Sequence, residues 1–158
     1  MVESVSYKDQ LRWLQGKKIA ICEPDRTRFT RLSAFLKHYG LEVVALNSKE
    51  TMLADLESRR YSTHRTYLAV FISADLAKAI ESLWLEITHM NPSILQTPLI
   101  LMGSDAEKQA VQSLSDLGYF KYSLPEPMTA TFVLRLLRSL NRWKAMRGDI
   151  TPAATLAK

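Results

Sequence analysis

Five short apolar runs alternate with helical patterns along this chain, and this alternation constrains the fold more than any other feature. The runs occupy residues 18–22, 41–46, 68–72, 98–102 and, more weakly, 119–124. After each run, apolar residues recur at three- and four-residue spacing, which is typical of an amphipathic helix. Strands that are apolar on both faces and separated by helices form parallel sheets covered on both sides. The sequence therefore predicts an α/β domain.

Five strand–helix units with right-handed connections fit a flavodoxin-like doubly wound sheet. We expect a five-stranded parallel sheet of order 2-1-3-4-5 with helices on both faces. In such sheets the ligand crevice lies beyond the carboxyl ends of the strands, chiefly the first and third. The residues that follow the strands are therefore the candidate site: Glu23, Pro24, Asp25, Ser73, Asp75, Gly103, Ser104, Glu126 and Pro127.

Polar residues mark the predicted helix starts. Asp25 is predicted to cap the first helix of the domain. Two capping boxes are predicted, Asn47 with Glu50 and Ser104 with Glu107. The two helices that follow the third and fourth strands are each predicted as one continuous helix, over residues 76–90 and 104–117.

The chain is predicted to contain one domain between two tails. Residues 1–16 are an N-terminal helical extension or linker in which Leu11 and Leu14 form an apolar face. Residues 17–147 form the domain, and residues 148–158 read as a linker or tail. Such tails suggest a piece of a longer protein.

Composition excludes several classes of function. The single cysteine, Cys22, lies in an apolar run, which favours a buried thiol in a reducing cytoplasm. No apolar run is long enough to span a membrane. No glycine-rich loop follows the first strand, so we expect no nucleotide or flavin cofactor. The three histidines, His38, His64 and His89, lack the spacing of metal ligands.

The net charge of +5 is concentrated at the C-terminal end of the sequence. Beyond Thr131 the basic residues are Arg135, Arg138, Arg142, Lys144, Arg147 and Lys158, against Asp149 alone. A basic helix can bind nucleic acid or an acidic partner. Because no aromatic or glycine pattern of a nucleic-acid module accompanies these residues, we expect a solvated helix face without direct nucleic-acid contact.

Three stretches of the sequence resemble the receiver domain of two-component response regulators. KIAICEPDRTRF resembles the opening strand and acidic turn of that family, PLILMGSDAEKQAVQSLSDLG its fourth strand and helix, and SLPEPM its L-x-K-P corner. The resemblance covers about residues 16–146. It implies phosphoryl transfer from a phosphohistidine to an aspartate at the end of the third strand. In that family, as the resemblance implies, an acidic pair after strand 1 helps to hold Mg²⁺. A Thr or Ser after strand 4 and a Lys before the strand-5 proline contact the phosphoryl oxygens.

At these positions the sequence departs from the family pattern almost everywhere. The acidic pair is replaced by Glu23 and Pro24, and the phosphoaccepting aspartate by Ser73. The Thr or Ser is replaced by Gly103, with Ser104 better placed as a helix cap. Glu126 replaces the lysine and reverses the charge. The resemblance therefore points to a degenerate pseudo-receiver without a cofactor or a resident metal.

Several alternatives remain open from the sequence. Asp75 is a rival phosphoacceptor if the third strand extends by two residues. Ser73 is a candidate nucleophile of a small enzyme if a base lies within hydrogen-bond reach. Glu126 either faces Glu23 or points to water, and the resemblance implies a cis bond between Glu126 and Pro127.

The sequence therefore predicts a binding module and not an enzyme. By the resemblance, its interaction surface is formed by the fourth helix, the fifth strand and the fifth helix of the domain. The candidate residues on that surface are Tyr122, Arg135, Arg138 and Arg142. The expected partner is another protein, a second copy of the chain, or the effector or sensor domain of a larger cytoplasmic regulator to which this domain belongs.

Overall fold

The computed structural model of this chain describes residues 7–59, 66–90 and 96–143. Five parallel strands form one sheet in the order β2-β1-β3-β4-β5. The strands are β1 Lys18–Cys22, β2 Glu42–Ala45, β3 Ala69–Ser73, β4 Leu99–Gly103 and β5 Phe120–Pro125. The predicted doubly wound sheet and its strand order are confirmed. Within the described residues, no helix combines the length and the apolar character needed to cross a membrane.

The described helices surround this sheet. The α-helices are α1 Tyr7–Gln10, α2 Arg26–His38, α3 Lys49–Ser58, α4 Ala74–Ala79, α5 Trp84–Met90, α6 Asp105–Gln109, α7 Gln112–Asp116 and α8 Ala130–Ser139. Short 3-10 helices occupy Arg12–Leu14, Glu81–Leu83 and Leu140–Trp143.

The sheet separates two hydrophobic clusters. Successive side chains of a strand point to opposite faces, so Phe71 belongs to one cluster and Ile72 to the other. The first cluster includes Leu36 of α2 and Leu137 of α8. The second includes residues of α3, α4 and α5, among them Trp84. Apolar side chains on both faces of the strands therefore account for the helix layers on both sides.

Two helices that were predicted as continuous are interrupted. Residues 76–90 form α4, a 3-10 turn and α5, and residues 104–117 form α6 and α7. The breaks occur at Ile80 and Val111, which have non-helical backbone angles and are fully buried. Periodicity reports which residues share a helix face, but it does not show where a buried side chain forces the axis to bend.

The predicted capping box of Asn47 and Glu50 is wrong. Ser48 is the N-cap of α3, and its Oγ accepts a hydrogen bond from the Thr51 amide at 3.1 Å. Asn and Ser are both good caps, so the sequence does not decide between neighbours. The extended backbone of Ser48 decides it.

The described part of the N-terminal extension is packed into the domain. Leu11 and Leu14 are 1% and 0% exposed and belong to the same cluster as α2 and α8. Residues 1–6 and 144–158 lie outside the described residues, and so do His64 and the predicted tail 148–158.

Candidate functional site

The sheet register brings the predicted site residues to one edge. Cys22 pairs with Ile72, so Glu23 follows β1 beside Ser73 at the end of β3. Ser73 pairs with Met102, and Gly103 pairs with Pro125, which precedes Glu126. The carboxyl ends of β1, β3, β4 and β5 therefore place Glu23, Ser73, Gly103 and Glu126 around one crevice, as the sequence predicted.

Ser73 acts as a helix cap in this crevice. The residue is 2% exposed, and its Oγ accepts a hydrogen bond from the Leu76 amide at 3.2 Å, which caps α4. The third strand ends at Ser73, and Asp75 lies exposed in the first turn of α4. Asp75 is therefore not at the strand end, where the family's phosphoacceptor is expected.

Glu23 is a buried carboxylate that follows β1. It is 3% exposed, and its Oε2 accepts a hydrogen bond from the Asp25 amide at 3.0 Å. Burial raises the pKa of Glu23, although this hydrogen bond and the charge of Arg28 act in the opposite direction. Asp25 caps α2 by accepting from the Arg28 amide at 2.9 Å, as predicted.

Arg28 of α2 joins the acidic residues of the crevice. Its Nη1 lies 3.1 Å from Glu107 Oε1, and its Nε lies 3.6 Å from Glu126 Oε2. Arg31, one turn further along α2, also reaches Glu126 at 3.6 Å. Burial acts against the charge on Arg28, but the carboxylates Glu107, Glu126 and Glu23 outweigh it and raise the pKa of the guanidinium. Glu126 therefore lies against the two arginines of α2.

Glu107 is fixed from two sides. It completes the predicted capping box with Ser104, whose amide donates to Glu107 Oε1 at 2.7 Å. This hydrogen bond, followed by the one from Arg28, lowers the pKa of Glu107. Gly103 has a φ of +144°, and a Cβ there would lie 3.0 Å from Glu107 Oε1. Gly103 therefore allows the carboxylate to approach the end of β4.

Two members of this cluster, Arg28 and Glu107, are not indicated as site residues by the sequence motifs. The capping-box pattern accounts for Glu107 as a capping residue only, and no motif points to Arg28. One signal was available, because two carboxylates were expected at the strand ends with no cation assigned to them. The first turn of α2 follows β1 directly, and a long arginine side chain there can reach across the crevice.

Two further features of the crevice are described by the structure. The peptide bond between Glu126 and Pro127 is cis, as the family resemblance implied. Among the described residues, no group of three or more His, Cys, Asp or Glu side chains is arranged to hold a metal ion.

The predicted interaction residues lie around β5 and α8. Tyr122 Oη accepts a hydrogen bond from Trp143 Nε1 at 2.9 Å, which links β5 to the 3-10 helix that follows α8. Arg135 and Arg142 are exposed, and the Arg135 guanidinium lies over the Phe132 ring. Arg138 is also exposed, and it lines a groove beside Trp13 of the N-terminal extension.

No protein-family model matches this sequence, and no curated protein matches it. Solved structures match over most of the chain. A two-component response regulator from Clostridium difficile aligns with a TM-score of 0.55 at 15% identity, covering 80% of this chain and 96% of that one. The chain has the receiver fold.

Two other neighbours have the same fold. The receiver domain of a sensor histidine kinase from Pseudomonas aeruginosa, with magnesium coordinated in its active site cleft, aligns with a TM-score of 0.57 at 17% identity, covering 81% of this chain and 97% of that one. The signal receiver domain of an HD domain-containing protein from Pseudomonas fluorescens aligns with a TM-score of 0.60 at 17% identity, covering 82% of this chain and 90% of that one.

Proposed function

We propose that this chain is a pseudo-receiver, a receiver-fold signalling module that does not accept a phosphoryl group and acts by binding protein. The observation that carries the proposal is Arg28, whose guanidinium contacts Glu107 and Glu126 and acts on Glu23. The Arg28 guanidinium places a fixed positive charge among the carboxylates at the strand ends, the edge of the sheet where the resemblance implies that a receiver holds Mg²⁺. In the Pseudomonas aeruginosa neighbour, by contrast, a magnesium ion is coordinated in the active site cleft.

The remaining residues of the crevice support the same conclusion. Phosphoryl transfer to a side chain requires a nucleophile and groups that neutralise the developing charge. Ser73 is buried, and its Oγ accepts a hydrogen bond from the α4 backbone. Glu126 places negative charge where the family has a lysine, which disfavours a bound phosphoryl group.

The proposal predicts that the crevice does not respond to a phosphoryl mimic. We expect the amide resonances of Ser73, Asp75 and Gly103 to stay unchanged when Mg²⁺ and beryllofluoride are added to the full chain. The measurement is a series of amide correlation NMR spectra, with Mg²⁺ alone and fluoride alone as controls. Concerted movement of these three resonances would show an active, atypical receiver.

The protein-binding part of the proposal concerns the β5 surface, which we define by Lys121, Tyr122, Phe132, Arg135 and Arg142. Neither β5 nor α8 nor the following 3-10 helix carries an Asp or Glu. Phe132 is 45% exposed and supplies an apolar contact beside these cations. In a symmetric dimer the same cations would face one another, and like charges across an interface are costly. An acidic protein partner therefore fits this surface better than a second copy.

The choice between an acidic partner and a second copy of the chain can be tested by measuring self-association in sedimentation experiments. We expect the full chain to sediment as a monomer at low and high salt. Arg135→Glu should sediment in the same way, and Arg26→Glu, on α2, is the matched charge-reversal control. A dimer of the native chain that Arg135→Glu abolishes and Arg26→Glu preserves would instead make the second copy the partner.

A further inference from the structure

The charges of the described helices are divided between the two sides of the sheet. On one side, α2 and α8 pack in the same hydrophobic cluster, and neither these helices nor the 3-10 helix after α8 contain an Asp or Glu. On the other side, α3, α4, α5 and α7 each contain at least one Asp or Glu, and their lysines and arginines are Lys49 and Lys78 alone. The described helices are therefore basic on one side of the sheet and acidic on the other.

The exposed cations of α2, α8 and the 3-10 helix that follows α8 form a surface that we call the basic face. It is defined by Arg26, Arg31, Lys37, Arg135, Arg138 and Arg142, all of which are exposed. At about 1.5 Å per residue, the row of cations on α2 is about 16 Å long and the row after it about 10 Å long. In the sequence only the second row stands out, because α2 and α8 lie far apart in the chain.

The side chains between the cations of α2 indicate what the basic face can bind. Apart from Arg31, the exposed residues between the two ends of this row are Thr27, Thr30 and Ala34. A protein interface typically has an apolar or aromatic centre, and a helix that lies in a membrane surface inserts large apolar side chains. Single-stranded nucleic acid stacks its bases on aromatic rings. α2 exposes none of these groups, whereas arginine, lysine and threonine side chains are typical ligands of backbone phosphates.

We propose that the basic face binds the phosphate backbone of duplex DNA without reading the base sequence. A duplex carries one negative charge per about 1.7 Å of its axis, so a row of cations about 16 Å long meets several phosphates. Arg31 keeps its contact with Glu126 at 3.6 Å, so we expect the other five cations to provide most of the binding.

The proposal does not depend on whether the crevice at the strand ends accepts a phosphoryl group. The basic face shares Arg135 and Arg142 with the β5 surface, whereas Arg26, Lys37 and Arg138 lie outside that surface. Variants of these three residues therefore test DNA binding without changing the residues proposed to bind an acidic protein.

The test measures binding of the full chain to a fluorescein-labelled duplex of about 20 base pairs by fluorescence anisotropy. Five phosphate contacts predict a slope of log affinity against log salt of about −4.5. Between about 50 and 200 mM NaCl the affinity should therefore fall about 500-fold.

Lys37→Gln and Arg138→Gln each remove one cation from one row of the basic face. We expect each variant to bind the duplex about fivefold more weakly at about 50 mM NaCl, with a slope that is shallower by about one. Lys49→Gln, on exposed α3 at the other side of the sheet, removes the same charge and should leave affinity and slope unchanged. Circular dichroism shows whether the three variants keep the native fold.

Vesicles of phosphatidylserine and phosphatidylcholine, and poly-L-glutamate, distinguish DNA from other acidic ligands. We expect both to bind at least about tenfold more weakly than the duplex at equal concentration of negative charge, because the duplex has the higher charge density. Tighter binding to the vesicles would make a membrane surface the ligand, and tighter binding to poly-L-glutamate an acidic protein; either result overturns the proposal. It is also overturned if the duplex does not bind at about 50 mM NaCl, or if Lys49→Gln weakens binding as much as Lys37→Gln.

Discussion

Replacing Arg28 with alanine is expected to destabilise the folded chain by about 1–2 kcal/mol at neutral pH. The substitution removes the hydrogen bond to Glu107 at 3.1 Å and the contact to Glu126 at 3.6 Å. It also leaves Glu23, Glu107 and Glu126 together without their shared cation. The expected loss of stability is small because 27% of the Arg28 side chain is exposed and solvent screens its charge.

The same variant is expected to gain a response to magnesium. Hard divalent cations prefer carboxylate oxygens, and without Arg28 the crevice retains three carboxylates with Arg31, which contacts Glu126 alone, as the cation beside them. We expect Mg²⁺ to raise the melting temperature of Arg28→Ala and to leave that of the native chain unchanged. Thermal denaturation with and without Mg²⁺ measures both effects.

The destabilisation should depend on pH in a defined direction. The pKa of Glu107 is lowered in the folded chain, so its contribution to stability is present above its ordinary pKa and is lost as the pH falls. Removal of Arg28 removes part of that lowering. The difference in stability between native chain and variant should therefore be largest near neutral pH and shrink in acid.

Arg31→Ala is the matched control for this prediction. Arg31 lies on the same helix, carries the same charge and contacts Glu126 at 3.6 Å, but 47% of its side chain is exposed. We expect it to cost under about 0.5 kcal/mol and to leave the magnesium response absent. Equal losses for the two variants would show that Arg28 is an ordinary surface arginine and would remove the main support for the pseudo-receiver.

Replacing Leu14 with alanine is expected to have a larger effect on stability, a loss of about 3 kcal/mol. Leu14 is fully buried in the cluster that contains residues of α2 and α8, although it precedes β1. The substitution leaves a cavity that its neighbours fill only in part. For a domain of this size, the melting temperature should fall by about 6–12 °C.

Leu85→Ala provides the same change of side chain at an exposed position. Leu85 is 80% exposed, so we expect a change within about 0.5 kcal/mol. Chemical denaturation of both variants gives the two free energies of unfolding. A Leu14→Ala variant as stable as Leu85→Ala would show that the N-terminal segment is an appended linker and not part of the core.

The helices differ from the sequence prediction at two places, and both show what local sequence patterns do not decide. Asn47 and Ser48 are both suitable caps, and backbone geometry selects Ser48. Residues 76–90 have a continuous helical period, but α4 ends at Ile80, whose side chain is completely buried, and a 3-10 turn follows. Spacing identifies the apolar face, whereas the direction of the helix axis depends on what that face packs against.

For the candidate site as well, the sequence predicted where the residues lie but not what their side chains contact. The sequence placed Glu23, Ser73, Gly103 and Glu126 at one edge because parallel strands joined by helices bring their carboxyl ends together. Their side-chain partners were not predictable from spacing. Ser73 Oγ accepts from the amide of Leu76, three residues on, and so caps α4, which begins at Ala74. The periodicity predicts a start at residue 76 and therefore gives no sign of this cap.

The sequence by itself determined the sheet order, the two-sided core and, to within one residue, where each strand ends. These features follow from the hydrophobic periodicity and from the residues that start and stop helices. Only the tertiary structure decided how the charges at those ends are balanced. Arg28 and Glu107 are 79 residues apart in sequence, and no local pattern couples them. They meet because α2 and α6 both begin at the carboxyl edge of the sheet, where a long guanidinium side chain spans the crevice between them.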